Sequence, residues 1–338
     1  MKLKNMKLAT IEKIENVREH PNADRLDLVN ILGYQCVTQK GIYENGDVVV
    51  YVKTDTLLPH EHWAEAYRKH SPNRVKAVKL RKEWSEGIVI PLNEVRGKLV
   101  GLDLNDIKIG YDVSEELKIT KWEPPIPQDL KAKSSVLPYD IPKTDENRWE
   151  NIKNHLPFGE NVDITLKIDG SSVTYGYKLD EGEFFVTSRG QELHPYLMNN
   201  YTLPLGKYNI EKLLKEYCNK HNVSLALRGE VYGEGIQSMG KNPHSKFPKD
   251  VAFFSVYLID EKRYARKGDK HYFINVCKDI NVPTVDILQE NVELNEALID
   301  YYSKVDKIID VGSFEGVVIQ HSGGSFKVIN KLYDSKKI

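Results

Sequence analysis

The chain has 338 residues, 40% of them hydrophobic and 29% charged, which is the composition of an ordinary soluble protein with room for two domains. Its formal net charge of −1 excludes a protein that is basic throughout, so any nucleic-acid site must be a local patch. No apolar run approaches a membrane span and the first residues lack the apolar core of a signal peptide, so we expect a cytoplasmic protein that is not bound to a membrane.

The first 120 residues are predicted to form short strands separated by turns. Apolar stretches at residues 28–32, 47–52 and 87–90 are bounded by turn residues, and Glu44-Asn45-Gly46-Asp47 predicts the turn before the second of them. Strands of this length with little helix between them are typical of a small barrel.

A basic cluster lies between residues 68 and 82, a stretch without a single acidic residue. Clustered positive charge is what a phosphate-binding surface needs, because each neutralised phosphate releases counterions. A solvated basic loop is the alternative. The predicted nucleic-acid-binding residues are Arg68, Lys69, Arg74, Lys76, Lys79, Arg81 and Lys82.

Several separated motifs in this region resemble, in the same order, the tRNA-binding OB domains attached to some synthetases and cytokine precursors. They are His20-Pro21-Asn22-Ala23-Asp24-Arg25-Leu26-Asp27-Leu28, Leu58-Pro59, Val78-Lys79-Leu80-Arg81 and Ser85-Glu86-Gly87-Ile88-Val89-Ile90-Pro91. The resemblance implies an N-terminal all-β OB barrel that binds nucleic acid, which we assign to residues 1–120. An OB fold kept only as a docking module is the alternative.

A proline-rich stretch follows, in which Pro124, Pro125, Pro127, Pro138 and Pro142 show neither a helical nor a strand period. Proline fixes φ and removes a hydrogen-bond donor, so we predict an extended linker over residues 121–142.

The rest of the chain, residues 143–338, is predicted to be an α+β domain. Thr144 is a candidate N-cap for a helix with Trp149, Ile152 and Leu156 on one face, which would leave Arg148 pointing toward solvent or a phosphate. Further amphipathic helices are predicted at residues 210–221, with Ile210, Leu213, Leu214 and Tyr217 on the packed face, and at 294–302, with Leu294, Ala297, Leu298 and Tyr301.

Residues 161–171 predict a half-buried strand that carries a lone lysine. Val162, Ile164, Leu166 and Ile168 alternate with polar residues, so Lys167 and Asp169 share the opposite face and Gly170 ends the strand where a ligand can approach the backbone. Lys-x-Asp-Gly is the nucleophile motif of the covalent nucleotidyltransferases, although the four residues alone also occur in surface turns.

More charged motifs follow Lys167, each within or beside a predicted strand. Arg189 follows the strand-like Phe184-Phe185-Val186, and period 2 places Arg228, Glu230 and Tyr232 on one face. Residues 251–257 predict a buried strand, Glu315 begins the next strand, and Lys327 and Lys331 are predicted to share a face of the last one.

Together these motifs resemble, in order, the six nucleotidyltransferase motifs of ATP-dependent polynucleotide ligases, over residues 143–331. With the OB domain in front, the chain is most similar to the RNA ligases that carry an N-terminal OB domain, and the implied fold of the second domain is an α+β, ATP-grasp-like nucleotidyltransferase. DNA ligases and capping enzymes place their OB domain after the last motif, whereas eleven residues follow Lys327 here.

The resemblance implies a role for each matching residue. Lys167 is the adenylylated nucleophile, Lys327 contacts the α-phosphate, and Glu315 holds a metal. Arg189 and Glu230 contact the ribose or the 3′-OH strand, Arg148 the outgoing pyrophosphate, and Lys331 is a second phosphate contact. Phe254 or Val256 covers the adenine. The implied nucleotide-binding residues are Arg148, Asp169, Gly170, Arg189, Glu230, Phe254, Val256, Lys327 and Lys331. Carboxylates at Asp169, Glu230 and Glu315 suit Mg²⁺ or Mn²⁺.

An amine nucleophile must lose its proton, and a free lysine, with a pKa of ~10.4, is almost wholly protonated at neutral pH. We therefore expect the pKa of Lys167 to be lowered by partial burial and by the positive charge of Lys327, Lys331 and a divalent metal.

The predicted function is an ATP-dependent RNA ligase that repairs RNA at nicks or paired ends. It would form lysine-AMP, transfer AMP to a 5′-phosphate, and join that end to a 3′-OH, with no obligate protein partner evident. A DNA ligase is one alternative. The other is a non-catalytic RNA-binding protein with a decayed nucleotidyltransferase domain.

Overall fold

A computed structural model of the chain describes residues 7–72, 74–99, 108–122, 132–238, 242–308 and 313–334. The chain divides into two compact units, residues 1–126 and 127–338. Each unit has its own hydrophobic core.

The first unit is built almost entirely from short strands in small antiparallel sheets. The order of strands is β1-β5-β9 in one three-stranded sheet and β2-β3-β4 in the other, and two-stranded pairs join β6 to β10 and β7 to β8. Its elements are β1 (Ala9–Lys13), β2 (Asn16–Glu19), β3 (Leu26–Ile31), β4 (Tyr34–Gln39), β5 (Val48–Val52), β6 (Thr56–Leu57), α1 (Glu65–Arg68), β7 (Val78–Leu80), β8 (Glu83–Ser85), β9 (Ile88–Pro91), α2 (Leu92–Val95) and β10 (Thr120–Lys121), with 3₁₀ helices at His62–Ala64 and Arg96–Lys98.

Strand β5 is the centre of this unit, because it is buried along four of its five residues and contributes to both of the unit's cores. Val50 and Val52 pack into one apolar cluster, whereas Val49 and Tyr51 pack into the other. Side chains alternate between the faces of a strand, so this single strand separates two packed layers. A sheet whose central strand is covered on both faces gives the compact barrel that the sequence predicted.

The basic cluster in this unit is not a simple loop. Arg68 ends α1, Lys79 lies in β7, and Arg81 and Lys82 form the turn of the β7–β8 hairpin with positive φ. Arg74 is already engaged, since its guanidinium stacks 3.8 Å above the ring of Trp122 and pairs with Asp55 at 3.2 Å. Lys69 and Lys76 lie on the connections beside these elements.

The second unit contains a seven-stranded antiparallel sheet, β11-β15-β14-β13-β16-β17-β18, and a four-stranded antiparallel sheet, β19-β12-β20-β21. Its elements are β11 (Ala132–Ser134), β12 (Asn161–Lys167), β13 (Ser171–Lys178), β14 (Glu183–Ser188), β15 (Glu192–Leu193), α3 (Leu203–Tyr208), α4 (Ile210–His221), β16 (Leu225–Tyr232), β17 (Asp250–Leu258), β18 (Arg263–Tyr264), α5 (Phe273–Ile280), β19 (Ile287–Glu293), α6 (Glu296–Lys304), β20 (Gly316–His321), β21 (Gly324–Ile329) and α7 (Lys331–Asp334), with 3₁₀ helices at Pro138–Asp140, Trp149–His155 and Pro243–Lys246.

The two sheets and the helices share one core, in which apolar residues of β12, β13, β16 and β20 meet those of α4 and α5. Helix α4 begins and ends where the pattern predicted, and it ends at Asn222, whose left-handed backbone returns an N–H to the carbonyl of Cys218. Helix α6 lies two residues later than predicted, because Asn295 caps it by accepting from Leu298 N.

That shift changes the buried face of α6. Ile299 and Tyr302 are buried, whereas Tyr301, predicted to be on the packed face, is 53% exposed. The prediction was wrong because apolar residues lie on two faces of this helix, and packing against the core buries the face that carries Ile299 and Tyr302.

The predicted linker and the helix after it also differ from the structure. Pro124, Pro125 and Pro127 lie outside the described residues, but residues 132–134 form β11, which pairs with β15 in the second unit. Residues 144–148 are extended instead of beginning a helix, and the 3₁₀ helix starts only at Trp149. Extended backbone here is stabilised by pairing with β21, since Lys327 N donates to Asn147 O at 2.8 Å.

Strand β12 is buried on both faces, not on one. Ile164 and Leu166 are buried as predicted, but Asp163 and Thr165 on the other face are buried too. Asp163 accepts from the Lys267 ammonium and from Asn291 N, and the Thr165 hydroxyl donates to Val318 O. These polar contacts explain how polar residues alternate along a fully buried strand.

Candidate active site

Lys167 is the last residue of β12, at the point where the chain crosses from the four-stranded sheet to the seven-stranded one. A Cβ on Gly170 would lie 2.3 Å from Val231 O, so only glycine allows this crossing to pack against β16. Gly316, which pairs with Lys167 in the next strand, has the same constraint, because a Cβ there would lie 2.2 Å from Val328 O. Gly170 and Gly316 therefore allow the backbones of β16 and β21 to approach closely next to Lys167.

The Lys167 ammonium donates to the carboxylate of Glu315 at 2.7 Å. Both side chains are mostly buried, with 25% of Lys167 and 14% of Glu315 exposed. Glu315 lies just before β20, and its carbonyl accepts from Asn330 N at 2.9 Å. The predicted nucleophile and the predicted metal ligand are thus in direct contact.

The carboxylates around Lys167 dominate its electrostatics. Burial alone lowers the pKa of the Lys167 ammonium, but the negative charges of Glu315 and Glu230, with a smaller contribution from Asp169, raise its pKa above the ordinary value. The expectation of a lowered pKa for Lys167 is therefore wrong for the chain alone, because the charges of three acids outweigh the effect of burial.

The same crowding acts on Glu230. Burial, with smaller contributions from the carboxylates of Glu315 and Asp169, raises the pKa of Glu230 to about 8 against the opposing effect of Lys167. A group of carboxylates that suppress one another's ionisation attracts positive charge.

Asp169 is fixed by two residues that the sequence did not single out. Its carboxylate accepts from the Tyr333 hydroxyl at 2.7 Å, and its carbonyl accepts from the Asn242 side chain at 2.8 Å. Tyr333 lies in α7, near the end of the described chain, and Asn242 lies in the connection between β16 and β17. No periodicity or spacing could have indicated either residue.

Two of the predicted nucleotide-binding cations, Lys327 and Arg189, meet at the carboxylate of Asp145. Lys327 on β21 has its ammonium 3.4 Å from Asp145, and the guanidinium of Arg189 lies 3.3 Å from the other oxygen of the same carboxylate. Arg148 forms an isolated parallel bridge with Lys327 and pairs with Glu150 at 3.6 Å. Lys327 and Arg189 are therefore brought together at Asp145, an acid for which no role was predicted, and Arg148 lies beside Lys327.

The segment that carries Asp145 is held by a buried arginine. Arg228 is completely buried, and its guanidinium donates to Pro142 O and to the Thr144 hydroxyl. The same guanidinium lies over the ring of Tyr264 at 5.1 Å, a cation–π contact that compensates part of its lost hydration. Arg228 therefore holds residues 142–144 in place and so positions the segment that carries Asp145.

Two predicted positions do not reach the site as expected. Strand β21 ends at Ile329 and Lys331 begins α7, so Lys331 does not share a strand face with Lys327. Val256 is completely buried in the main core, and an irregular register between β16 and β17 breaks the alternation that was expected to align it with Phe254. Phe254 is only partly buried and stays the better candidate to cover a base.

The acids beside Lys167 fit a hard divalent cation in chemistry. Asp169, Glu230 and Glu315 offer oxygen ligands, and the negative charges of all three act on the Lys167 ammonium. Within the described ranges, no three His, Cys, Asp or Glu residues lie close enough together to hold a metal ion by themselves. Phosphate or water oxygens would have to complete such a site.

Comparisons with known proteins identify both units. An OB-fold domain model matches residues 8–92, and an RNA ligase model matches residues 160–332. A solved structure of a Naegleria gruberi RNA ligase mutant with AMP and Mn is 27% identical, with a TM-score of 0.79 and 98% of each chain covered.

Two further structures of the Naegleria gruberi RNA ligase are similar to the same extent. The structure with PPi has a TM-score of 0.79 and that of a mutant with ATP and Mn a TM-score of 0.77, both at 27% identity with 98% of each chain covered. No curated protein matches the chain. The predicted fold class, an N-terminal OB barrel followed by an α+β nucleotidyltransferase domain, is confirmed. Among the described residues, no helix is both long and apolar enough to cross a membrane.

Proposed function

The chain belongs to the RNA ligase family, and from this premise we propose that it uses ATP to join RNA 3′-OH and 5′-phosphate ends through a covalent lysine-AMP intermediate. The observation that carries the proposal is the contact between Lys167 and Glu315 at 2.7 Å, in a Lys-x-Asp-Gly motif next to Glu230. The solved relatives with ATP, AMP and PPi support ATP as the nucleotide substrate.

In the first step, Lys167 Nζ attacks the α-phosphorus of ATP, so that a P–N bond forms and the bond to pyrophosphate breaks. Lys327 would bind the α-phosphate. Because Arg189 shares the carboxylate of Asp145 with Lys327, we assign Arg189 to the phosphates as well, and not to the ribose or the 3′-OH strand that the resemblance implied. Arg148, which lies beside Lys327, would contact the departing pyrophosphate. Nucleotidyl transfer depends mainly on charge neutralisation and in-line placement, which a lysine fixed between two sheets and a group of cations provide.

Lys167 must lose a proton before it attacks, and its three acidic neighbours oppose that loss. A divalent cation bound by carboxylates among Asp169, Glu230 and Glu315, with phosphate or water oxygens as its other ligands, would neutralise these acids and withdraw the support they give to the ammonium form. The Mn in the solved relatives supports this assignment. Mg²⁺ offers the same hard chemistry.

In the two later steps, AMP moves from Lys167 to a 5′-phosphate, and the 3′-OH of the other end then displaces AMP. We propose that the physiological ends are nicks or paired ends in damaged RNA, and that the OB domain binds the RNA backbone next to them. This assigns end binding to the basic cluster of the first unit and chemistry to the second.

The proposal is tested by incubating the protein with ATP labelled at the α-phosphate, and then with nicked duplexes whose strands are RNA or DNA. We expect acid-labile label on the protein that pyrophosphate removes, and sealing of 3′-OH to 5′-phosphate ends in RNA. Sealing confined to DNA would favour the DNA ligase alternative. Absence of label together with RNA binding would favour a decayed domain.

A further prediction concerns the basic cluster. Replacing Lys76, Lys79, Arg81 and Lys82 by alanine should weaken sealing and flatten its salt dependence, because each lost phosphate contact removes a slope of about 0.9 in log K against log salt. These four side chains are exposed, and Arg74 is left intact because of its contacts with Trp122 and Asp55. Sealing at several salt concentrations measures the effect.

The matched control replaces four exposed lysines of the second unit, Lys212, Lys215, Lys220 and Lys278, by alanine. It changes the net charge equally and should leave the salt slope close to that of the wild type. Equal slopes for the two variants would show that the basic cluster is a solvated surface and not an end-binding site.

A further inference from the structure

Asp145 lies between the two cations that the proposed function assigns to the nucleotide phosphates. One carboxylate oxygen is 3.4 Å from Lys327 Nζ, and the other is 3.3 Å from a terminal nitrogen of Arg189. The side chains of Asp145 and Lys327 are only 20% and 22% exposed, so the acid is within the site and not on an outer surface.

This placement is built into the fold on both sides of Asp145. Before it, the Thr144 hydroxyl (one residue earlier) and the Pro142 carbonyl (three residues earlier) accept from buried Arg228. Two residues after it, Asn147 O accepts from Lys327 N. Because backbone and side-chain contacts fix the segment at both ends, the carboxylate of Asp145 is presented to the cations by the chain itself.

A carboxylate and a phosphate compete for the same donors, since both offer planar or tetrahedral sets of anionic oxygens to ammonium and guanidinium groups. Both contacts of Asp145 are longer than the 2.7–2.9 Å that is typical of strong charge-assisted hydrogen bonds. An anion with more charge and more oxygens, such as a triphosphate, can therefore displace it.

We propose that Asp145 is an internal competitor of the nucleotide: its carboxylate pairs with the cations Lys327 and Arg189 and is displaced from them when the phosphates of ATP bind. The proposal rests on the proposed function, because it takes Lys327 and Arg189 as the phosphate-binding residues. Asp145 then helps to set the affinity for the nucleotide, because the ligase binds the phosphates of ATP less tightly than Lys327 and Arg189 would without a competing carboxylate.

The test measures binding by calorimetry in the full chain, with α,β-methylene-ATP as a probe that cannot transfer AMP to Lys167. Asp145→Asn keeps the size of the side chain and removes its charge. Its dissociation constant for the probe should fall by about three- to tenfold, the effect of removing two competing, partly exposed ion pairs. Binding of adenosine, which has no phosphate, should not change.

The control is Asp180→Asn, which removes an acid from an exposed ion pair with Lys178 elsewhere in the same unit and should leave both ligands unaffected. Weaker binding of the probe by Asp145→Asn would overturn the proposal, since it would mean that the acid positions Lys327 and Arg189 for the nucleotide. An equal gain for adenosine would also overturn it. If the wild type neither binds the probe nor becomes labelled by ATP, the proposed function itself has failed, which is a separate outcome.

Discussion

Lys167→Ala is expected to abolish covalent labelling by ATP and to abolish ATP-dependent sealing of 5′-phosphate ends. The reaction needs an amine at the end of β12, and Lys167 is the residue that the crossing between the two sheets places beside Glu315. Lysines 327 and 331 cannot replace it, because Lys327 is directed to Asp145 and Lys331 lies in α7. Retention of label on the protein after denaturation measures the loss.

Two controls separate lost chemistry from lost folding. Lys178, the last residue of β13, pairs with Asp180 and Asp260. The Lys178→Ala variant should be labelled by ATP like the wild type. Lys167→Ala should still join RNA that already carries a 5′-adenylyl group, because attack by the 3′-OH on that group does not require the lysine nucleophile. Labelling of Lys167→Ala at another residue would disprove the assignment of the nucleophile.

The parts of the fold that were predictable from the sequence are those in which local pattern and tertiary packing agree. Helix α4 has apolar residues at helical spacing and a good C-terminal cap, so its limits follow from the sequence alone. Strand β12 was also predicted, but burial of both its faces was not, because Asp163 is neutralised by Lys267 from more than a hundred residues away. The hydrophobic period of a single strand cannot indicate a partner that distant in sequence.

The candidate site divides in the same way. Motif spacing identified Lys167, Glu230 and Glu315, and the structure brings them together. Motif spacing did not identify Tyr333, whose hydroxyl donates to the Asp169 carboxylate, and it did not identify the role of Asp145. Thr144 was interpreted as the N-cap of a helix, which would put residues 145 and 146 in its first turn. Only the pairing with β21 shows that this segment is not helical and lies beside Lys327.

The Lys167 pKa is the clearest case in which the direction of an effect needed three dimensions. Sequence shows apolar neighbours in the strand and basic residues elsewhere, which together indicate a lowered pKa. In the folded protein the negative charges of Glu315, Glu230 and Asp169 outweigh burial and raise the pKa of Lys167. The reactive amine is therefore scarce in the protein without ligands, and the rate of its adenylylation should increase with pH as the ammonium loses its proton.

That direction makes Glu315→Gln an informative substitution, because two opposite effects follow from it. Removing the charge of Glu315 takes away the strongest support for the ammonium form, so the pKa of Lys167 falls and the pH profile of labelling shifts to lower pH. If Glu315 also holds a divalent cation, the variant loses stabilisation of the transition-state charge, which typically costs about 10²–10³ in rate. We expect the second effect to dominate at neutral pH.

The measurement is the rate of lysine adenylylation as a function of pH at several concentrations of Mg²⁺ or Mn²⁺. Glu315→Gln should be slower than the wild type by two to three orders of magnitude (about 10²–10³), with its profile displaced to lower pH and with a higher metal requirement. The control is Glu160→Gln, an exposed glutamate next to β12 that accepts from the Ser322 hydroxyl and should change none of these quantities.

The two readouts distinguish the possible roles of Glu315. A variant that is as fast as or faster than the wild type, with only a displaced pH profile, would mean that Glu315 acts as the counter-ion of Lys167 and does not hold a metal. A variant that is slow without any displacement would mean that the contact at 2.7 Å does not control the protonation of the lysine. Loss of rate together with displacement is the result expected of a carboxylate that acts on both the nucleophile and the cation.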